Sequence, residues 1–509
     1  MPVSQLGNIN TTALIVPDLY VQIVPPSTSL LNGLPTNILG IVGTATWGPV
    51  NSPAVVSSMA SYSTQFGQIQ SRLYDAGTAV AAAVLQGANN IRVVRVTDGT
   101  DTAATVVVQS TCITLTSKYT GSLANAATAT IAAGTASGTS KIIITMPNQV
   151  PEVFDNIAGA ANALWVNMAA AINNGQSGLR GASQFITASA GAGVAAPTLT
   201  AYPLAGGIDG ATTITSSVLV GQDTVPRKGM YALRNSGASI GMLADAFDST
   251  QWSLQVAYGL SEGTYMIGVT PVGDTIANAA TVKGTAGIDS YAFKLMFGDW
   301  VYFNDTVNNQ VRLISPQGFV AGRLANLSPE QSSLNKPLFG IVGTQKSYQS
   351  QVYASADLQL LGQAGIDVIA NPIPAGQMFG VRFGHNSSSN SVTNGDNYTR
   401  MTNYLAYTMN AGMGLFIGKL QSATTQRQAA ATISNFLDGL AAQNMIGNSV
   451  GSTPYSVQID INNNPQARVA LGYMQADVKV QYLSVIEKFL VNLEGGQSVS
   501  INRQSVALV

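Results

Sequence analysis

Both ends of this chain carry a strand pattern with no local partner. Near the start, Leu19–Val24 reads "LYVQIV", and Pro25-Pro26 cuts it off with no Asn-Gly or Asp-Gly turn to fold a hairpin back. Near the end, Gly495-Gly496 releases "QSVSINRQSVALV", in which Val499 and Ile501 alternate with Ser498, Ser500 and Asn502. A lone strand leaves its backbone donors and acceptors unpaired, so each end has to find a sheet elsewhere. That requirement bounds every architecture open to the chain.

At 509 residues the chain is too long for one ordinary core, and several domains are expected. Charged residues make up only 9%, against about 25% in an average soluble protein. With 23 basic and 24 acidic residues the net charge is −1, so no long-range field draws in nucleic acid or an anionic membrane. The basic residues are neither clustered nor interleaved with the four Trp, so no nucleic-acid platform is expected. A surface this poor in charge is weakly defended against self-association. It fits a protein that ends up covered by copies of itself, although a Thr/Ser/Asn-rich soluble surface has the same composition.

The single cysteine, Cys112, excludes an internal disulfide and reads as a buried, inert thiol in "STCITLT". The single histidine, His385, excludes a two-His metal site, and its loop "RFGHNSSSN" reads as holding a solvated ring. No Sec-type leader is recognised, and the longest apolar patch, Leu405–Gly418, is too short and too polar to span a bilayer. A soluble protein made in the cytoplasm is expected.

Along the chain, residues 37–101 alternate strand and helix: "NILGIVGTATWGPV", then helical spacing at Leu73, Ala76, Val80, Ala83 and Val84, then "NIRVVRV". Residues 102–210 change texture. Residues 119–225 contain just six charged side chains, Lys141, Glu152, Asp155, Arg180, Asp209 and Asp223, among short β runs and one helix at Asn162–Asn173. This predicts a β-rich domain inserted into an α/β frame. Strand and helix then alternate again through 211–350 and 351–494, with Ser315 and Pro316 opening one helix. Helices are expected over about Tyr398–Asn410 and Ala423–Asn444, the latter with Ile433, Phe436, Leu437 and Leu440 as a core stripe and Gly447 as its stop. "YSVQIDI", "ALGYMQADVKVQYL" and "EKFLVNLE" read as three closing strands. The domain reading is 1–36 arm, 37–101 first core part, 102–210 insertion, 211–350 middle unit, 351–494 last unit and 495–509 arm.

No catalytic constellation emerges. "GIVGTATWG" (Gly40–Gly48) lacks the Gly-Lys-Ser/Thr ending of a P-loop, and its "GIVGT" recurs at Gly340–Thr344 without establishing a repeat. "DGTD" (Asp98–Asp101) lacks the rest of a calcium loop and reads as a turn. No close carboxylate pair points to acid–base work, and no cofactor or metal is expected.

The order of segments resembles contractile phage tail sheath proteins. "YVQIVPPS" with "GLPTNILGIVGTATWGPVNSPAVVSSMASYSTQFG" is similar to that family's opening strand, Pro-Thr step, glycine turn and helix. "NNIRVVRV", "LAGGIDG" with "GMYALRNSGASIGMLADAF", "RLISPQGFVAGRLA", "LQLLGQAGIDVIANPIPAGQMFGVRF" and the segment from Asn462 to Leu493 follow in the family's order. Gln22 stands where the family commonly has an acid, and Gly380–Phe383 departs from its Gly-Ala-Arg-Thr. The resemblance covers most of the chain outside 102–203. It implies a mixed α/β, sheath-type core with an inserted β-rich domain facing outward and extended strand arms at both ends.

The same resemblance implies a non-enzymatic subunit of stacked hexameric rings around an inner tube, contracting to drive that tube through a bacterial envelope. Its implied partners are neighbouring copies, the tube protein, and baseplate and terminator proteins, with no nucleic acid and no membrane insertion. Its implied location is the tail of a virion assembled in the host cytoplasm, or a headless tailocin or other injection machine. Leu19, Tyr20, Val21, Gln22, Ile23, Val24, Val499, Ile501 and Arg503 become the inter-subunit strand contacts. Pro25, Pro26, Gly495 and Gly496 become hinges, and Arg427 becomes a tube-facing residue. A static shell or surface-layer subunit is the bland alternative; it accounts for the low charge but not for the ordered motifs.

Overall fold

A computed structural model of the chain describes residues 5–6, 22–23, 31–349, 351–493 and 495. Two short strands come first, Gln5–Leu6 (β1) and Gln22–Ile23 (β2), paired in parallel with Gln5 opposite Gln22. The body starts at Leu39–Gly43 (β3), whose five residues are all buried. A strand without a polar face is covered on both sides, as in a parallel sheet flanked by helices. Ala54–Val56 (β4), the helices Met59–Phe66 (α1) and Ala76–Leu85 (α2), and Ile91–Arg95 (β5) complete the first unit. Leu73, expected inside α2, lies before it and is half exposed, because the Asp75 carboxylate accepts from Thr78 N and caps the helix there.

The chain then leaves the sheet. Residues Thr105–Val108 (β6), Ile113–Ser117 (β7), Thr128–Ala133 (β8), Ser140–Thr145 (β9), Glu152–Ile157 (β10), helix Asn162–Asn174 (α3), Ile186–Ala190 (β11) and Ala201–Pro203 (β12) build two sheets. Their orders are β10-β9-β8-β12 and β11-β7-β6. Strand burial alternates, and the inward residues close on Trp165, Met168 and Ile172 of α3 in a separate core. Cys112 is buried in that core. The outgoing and returning chains pair at Thr102↔Ile208 and Thr105↔Ala205. Asp98 closes the base of the insertion, with Oδ1 accepting from Thr100 and Oδ2 from Thr212 and Thr213. Arg95, fully buried, fastens the junction through Gly48 O, Thr120 O and Asp209 O.

Helix Ser216–Val220 (α4), Ile240–Leu243 (β13), helix Trp252–Glu262 (α5), Tyr265–Val269 (β14), helix Ile276–Thr285 (α6) and Phe293–Met296 (β15) return the chain to the main sheet. Its order is β15-β14-β13-β3-β5-β4, with only β4 antiparallel to its neighbour. A small antiparallel sheet, β17-β16-β18, follows from Val301–Asp305 (β16), Gln310–Ile314 (β17) and, after helix Gln317–Asn326 (α7), Ile341–Thr344 (β18). Helix α7 begins one residue later than expected, with Ser315 Oγ accepting from Gln317 N. Its Gly322 lies so close to α2 that a Cβ would stand 2.4 Å from Ala83 Cα.

After helices Gln345–Tyr348 (α8) and Ser355–Gln363 (α9), the strands Ile369–Ala370 (β19) and Gly380–Val381 (β20) still pack on the large core through Leu361, Ile366, Val368, Ile369 and Val381. The large core therefore extends through β20. A third core begins with helices Asp396–Met413 (α10) and Ala423–Ala442 (α11), followed by Tyr455–Gln458 (β21), helix Gln466–Val469 (α12) and Asp477–Val480 (β22). The stripe Ile433, Phe436, Leu437 and Leu440 is buried in it together with Leu31 from the N-terminal side. Asn444, in the left-handed region at φ 56, follows the end of α11, so the expected stop at Gly447 is three residues late. "EKFLVNLE" forms no strand over its described residues, and "ALGYMQADVKVQYL" is a strand only from Asp477 to Val480. Its start, Ala470–Gly472, is a turn just past α12, with Gly472 at φ 79, and the remainder has no regular structure.

Candidate assembly surface

A buried charge cluster fixes how the last unit sits on the main sheet. Lys294 is the one charged residue in β15, and its side chain is fully buried. Its ammonium donates to Asp367 Oδ2 at 2.6 Å, to Asp396 Oδ1 at 3.1 Å and to His385 O at 2.9 Å. Asp367 also accepts four backbone N–H groups, from Val368, Phe383, Gly384 and His385. Asp396, in the first turn of α10, accepts from Tyr265 OH and from Ser333. Burial alone raises a carboxyl, but Lys294, Ser333 and Tyr265 together hold Asp396 below its ordinary range. Burial likewise opposes the Lys294 charge, and the two carboxylates outweigh it and hold the ammonium above its usual value. A lone Lys in the apolar run "AFKLMF" was the sequence signal for this cluster.

The surface built on this anchor is unfinished. Strands β21 and β22 form a sheet of only two strands, with Tyr455 opposite Val480 and Val457 opposite Val478. One face packs on α11, where Tyr455 OH donates to Asp438 Oδ1 at 2.5 Å. Each strand has an outer edge with no further strand among the described residues. Past β22 the chain is tied by Gln481 to Pro454 O and Gly447 N, by Tyr482 against Tyr398, and by Asn397 to Leu483 O. The last tie among the described residues is His385 Nε2 to Glu487 Oε1 at 2.8 Å. Beyond it Phe489, Leu490 and Leu493 are 84%, 84% and 90% exposed, and Ile486 just before it is 77% exposed. With Val491, also exposed, these are five large apolar side chains in water within eight residues, a patch that calls for a partner.

Of the residues singled out from sequence, Gln22 and Ile23 lie in β2, and Gly495 has open space around its Cα. Arg427 is exposed on α11. Leu19, Tyr20, Val21, Val24, Pro25, Pro26, Gly496, Val499, Ile501 and Arg503 lie outside the described residues. His385, expected to be solvated, has a side chain 19% exposed and is paired with Glu487. The partner lies 102 positions away, where no local motif reveals it. The glycines of "GIVGT" at 40–44 serve packing: a Cβ on Gly43 would press on Tyr74 O and Ala76 N at 2.8 and 2.9 Å. Among the described residues no helix is long and apolar enough to cross a membrane.

No protein-family model and no curated protein matches the chain. Solved structures do. A sheath tail protein from Desulfitobacterium hafniense superposes with a TM-score of 0.59 at 15% identity, over 87% of this chain and 94% of that one. A sheath tail protein from Listeria innocua gives 0.60 at 13%, over 85% and 90%. The sheath of the anti-feeding prophage in its contracted state gives 0.56 at 10%, over 94% and 99%. The fold is that of contractile sheath proteins, the mixed α/β architecture that the ordered motifs imply. It embraces phage-tail-like and extracellular injection sheaths alike.

Proposed function

We propose that the chain is the structural, non-enzymatic subunit of a contractile sheath, polymerising around an inner tube and shortening to drive that tube through an envelope. The observation that carries this reading is the whole-chain superposition on sheath proteins, over 94% of this chain in the anti-feeding prophage sheath. The two-stranded sheet of β21 and β22 and the uncovered tail beside it support strand exchange between copies. In this reading the arms around Gln22–Ile23 and Val499–Arg503 add strands to neighbouring subunits, hinged at Pro25-Pro26 and Gly495-Gly496. The insertion faces outward and Arg427 faces the tube.

Magnitudes explain why such a contact belongs to a lattice. Burying the five large apolar side chains of the tail contributes about 7–15 kcal/mol. Ordering ten residues of tail costs about 10–20 kcal/mol. One such tail is therefore marginal on its own, whereas many in one mesh reinforce each other. Contraction then needs no nucleotide: two packings of the same body, linked by the same arms, differ in buried area, and the gain is multiplied over all subunits. Hexameric rings, baseplate and terminator partners, and genome delivery from a virion are the finer parts of this proposal.

Electron microscopy of the purified chain, alone and with an inner tube protein, tests it. Hollow cross-hatched cylinders are expected, in the tube-free sample or on tube addition. Monomers in both samples would contradict sheath assembly, and a single planar lattice would favour a static shell.

A further inference from the structure

We infer that two carboxamides at the end of α3, Asn173 and Gln176, guard the strand edges of the insertion and keep it from pairing with another copy of the chain. Strands β10 and β11 each have a strand partner on one side only, β9 and β7. On the free side of such a strand, alternate residues turn both backbone N–H and C=O outward, a template for a further strand. In β11 one of these residues is Ala188. Its N–H donates to Asn173 Oδ1 at 2.9 Å, and its carbonyl accepts from Asn173 Nδ2 at 2.7 Å. In β10 it is Asp155. Its N–H donates to Gln176 Oε1 at 3.2 Å, and its carbonyl accepts from Gln176 Nε2 at 2.6 Å. Each side-chain amide thus makes the two-way pair that the backbone of an incoming strand would make. Neighbouring edge groups are taken as well. Ile186 N–H donates to Ser183 Oγ at 3.1 Å, and the Val153 carbonyl accepts from Arg180 Nη1 at 3.5 Å.

The sequence explains why amides hold this place. A lysine or another charge is the usual defence of an exposed edge, but residues 119–225 carry only six charged side chains. Strand β11, "ITASA", has none. In β10, Glu152 is buried and engaged by Arg180, Ser183 and Gln184 N, and the Asp155 carboxylate is taken up by Thr135. The helix is set for the task at both ends. At its start, Asn162 donates to Gly191 O and Gly193 O, and Trp165 Nε1 donates to Ala195 O, so α3 is bound to the chain leaving β11. At its end, Gly175 in the left-handed region at φ 80 turns the chain, and Gln176 reaches β10 while Asn173 reaches β11. A Cβ on Gly175 would stand 2.6 Å from Arg180 O, so the turn admits no larger residue without a shift. The far edges close differently: Thr105, at the start of β6, pairs in both directions with Ala205, just past β12, at 2.8 and 3.1 Å.

Hydrogen exchange and sedimentation velocity on the full chain test the inference. In monomer, Gln176→Ser is expected to speed exchange over residues 152–157 about two- to ten-fold and to leave 186–190 unchanged. Asn173→Ser is expected to do the reverse. The double Ser variant is expected to associate beyond the unaltered chain, with both stretches protected again in the associated species. Gln176→Glu with Asn173→Asp loses the donated bonds but sets a charge on each edge, and is expected to stay as dispersed as the unaltered chain. Unchanged exchange in the Ser variants, a double Ser variant no more associated than the unaltered chain, or association of the acidic pair would overturn the guard. Unchanged circular dichroism and thermal unfolding exclude misfolding as the cause. The expected new contact maps to the insertion, whereas the proposed sheath contacts lie in the arms, so the outcome is separate from whether the chain forms sheaths.

Discussion

Tyr265–Val269 and Phe489–Leu493 are five-residue runs of similar apolar character, "YMIGV" and "FLVNL", and the fold treats them in opposite ways. The first is β14, buried at every position between two parallel neighbours. The second carries Phe489, Leu490 and Leu493 in the open, with no strand beside it among the described residues. A run becomes a core strand when two sheet edges and two helix faces are already in place around it. The tail has the composition of a strand and lacks the surroundings. The body thus closes its own core, and in the proposed sheath reading the surroundings of the tail come from another chain.

This contrast breaks most visibly at Lys294. Lys294→Met leaves Asp367 and Asp396 buried without their counter-charge, and the body is expected to lose about 3–5 kcal/mol in urea unfolding. A loss below about 1 kcal/mol would mean that the cluster is not what fastens the last unit to the sheet. A second, smaller effect tests how closed the body is. Asp75 is 1% exposed, and its Oδ1 has no partner. Burial pushes its carboxyl from 3.8 up to about 6, despite hydrogen bonds from Thr78. A group whose folded value is raised stabilises below its unfolded value, and that stability is lost as pH climbs through the folded one. Between about pH 4 and pH 6.5 Asp75 should cost the body on the order of 2 kcal/mol, beside the loss from Asp245, whose buried carboxyl is raised to about 7, and Asp75→Asn should remove the Asp75 share of the slope. An unchanged slope in the variant would assign it to other groups. The smallest effect on stability belongs to the tail. Phe489→Ser with Leu490→Ser should shift monomer unfolding by less than about 0.5 kcal/mol while weakening assembly, measured by sedimentation. A large loss of monomer stability would mean that the tail packs on its own body.

The same contrast explains what the sequence could and could not disclose. Elements whose partners are local were readable: α2, α10 and the α11 stripe follow from spacing, and Ser315 marks the start of α7. Context decided the rest. "GIVGT" occurs twice, at 40–44 inside the parallel sheet and at 340–344 on the edge of the small antiparallel one, where Val342 is 49% exposed. Identical residues gave no shared fold beyond extended backbone, so the echo is not a repeat. "EKFLVNLE" has strand chemistry and no strand, because β-propensity records fit to a half-buried surface rather than a backbone preference. His385 looked solvated because Glu487 is remote in sequence, and the Lys294 cluster joins three segments that only the fold brings together.

The most direct test of the account is deletion of residues 497–509, followed by parallel measurement of thermal unfolding and of polymer by sedimentation and microscopy. The account predicts a monomer that unfolds at the temperature of the full chain and forms no cylinders, with or without tube protein. Cylinders of normal length from the truncated chain would contradict it, since the body would then assemble without its last thirteen residues.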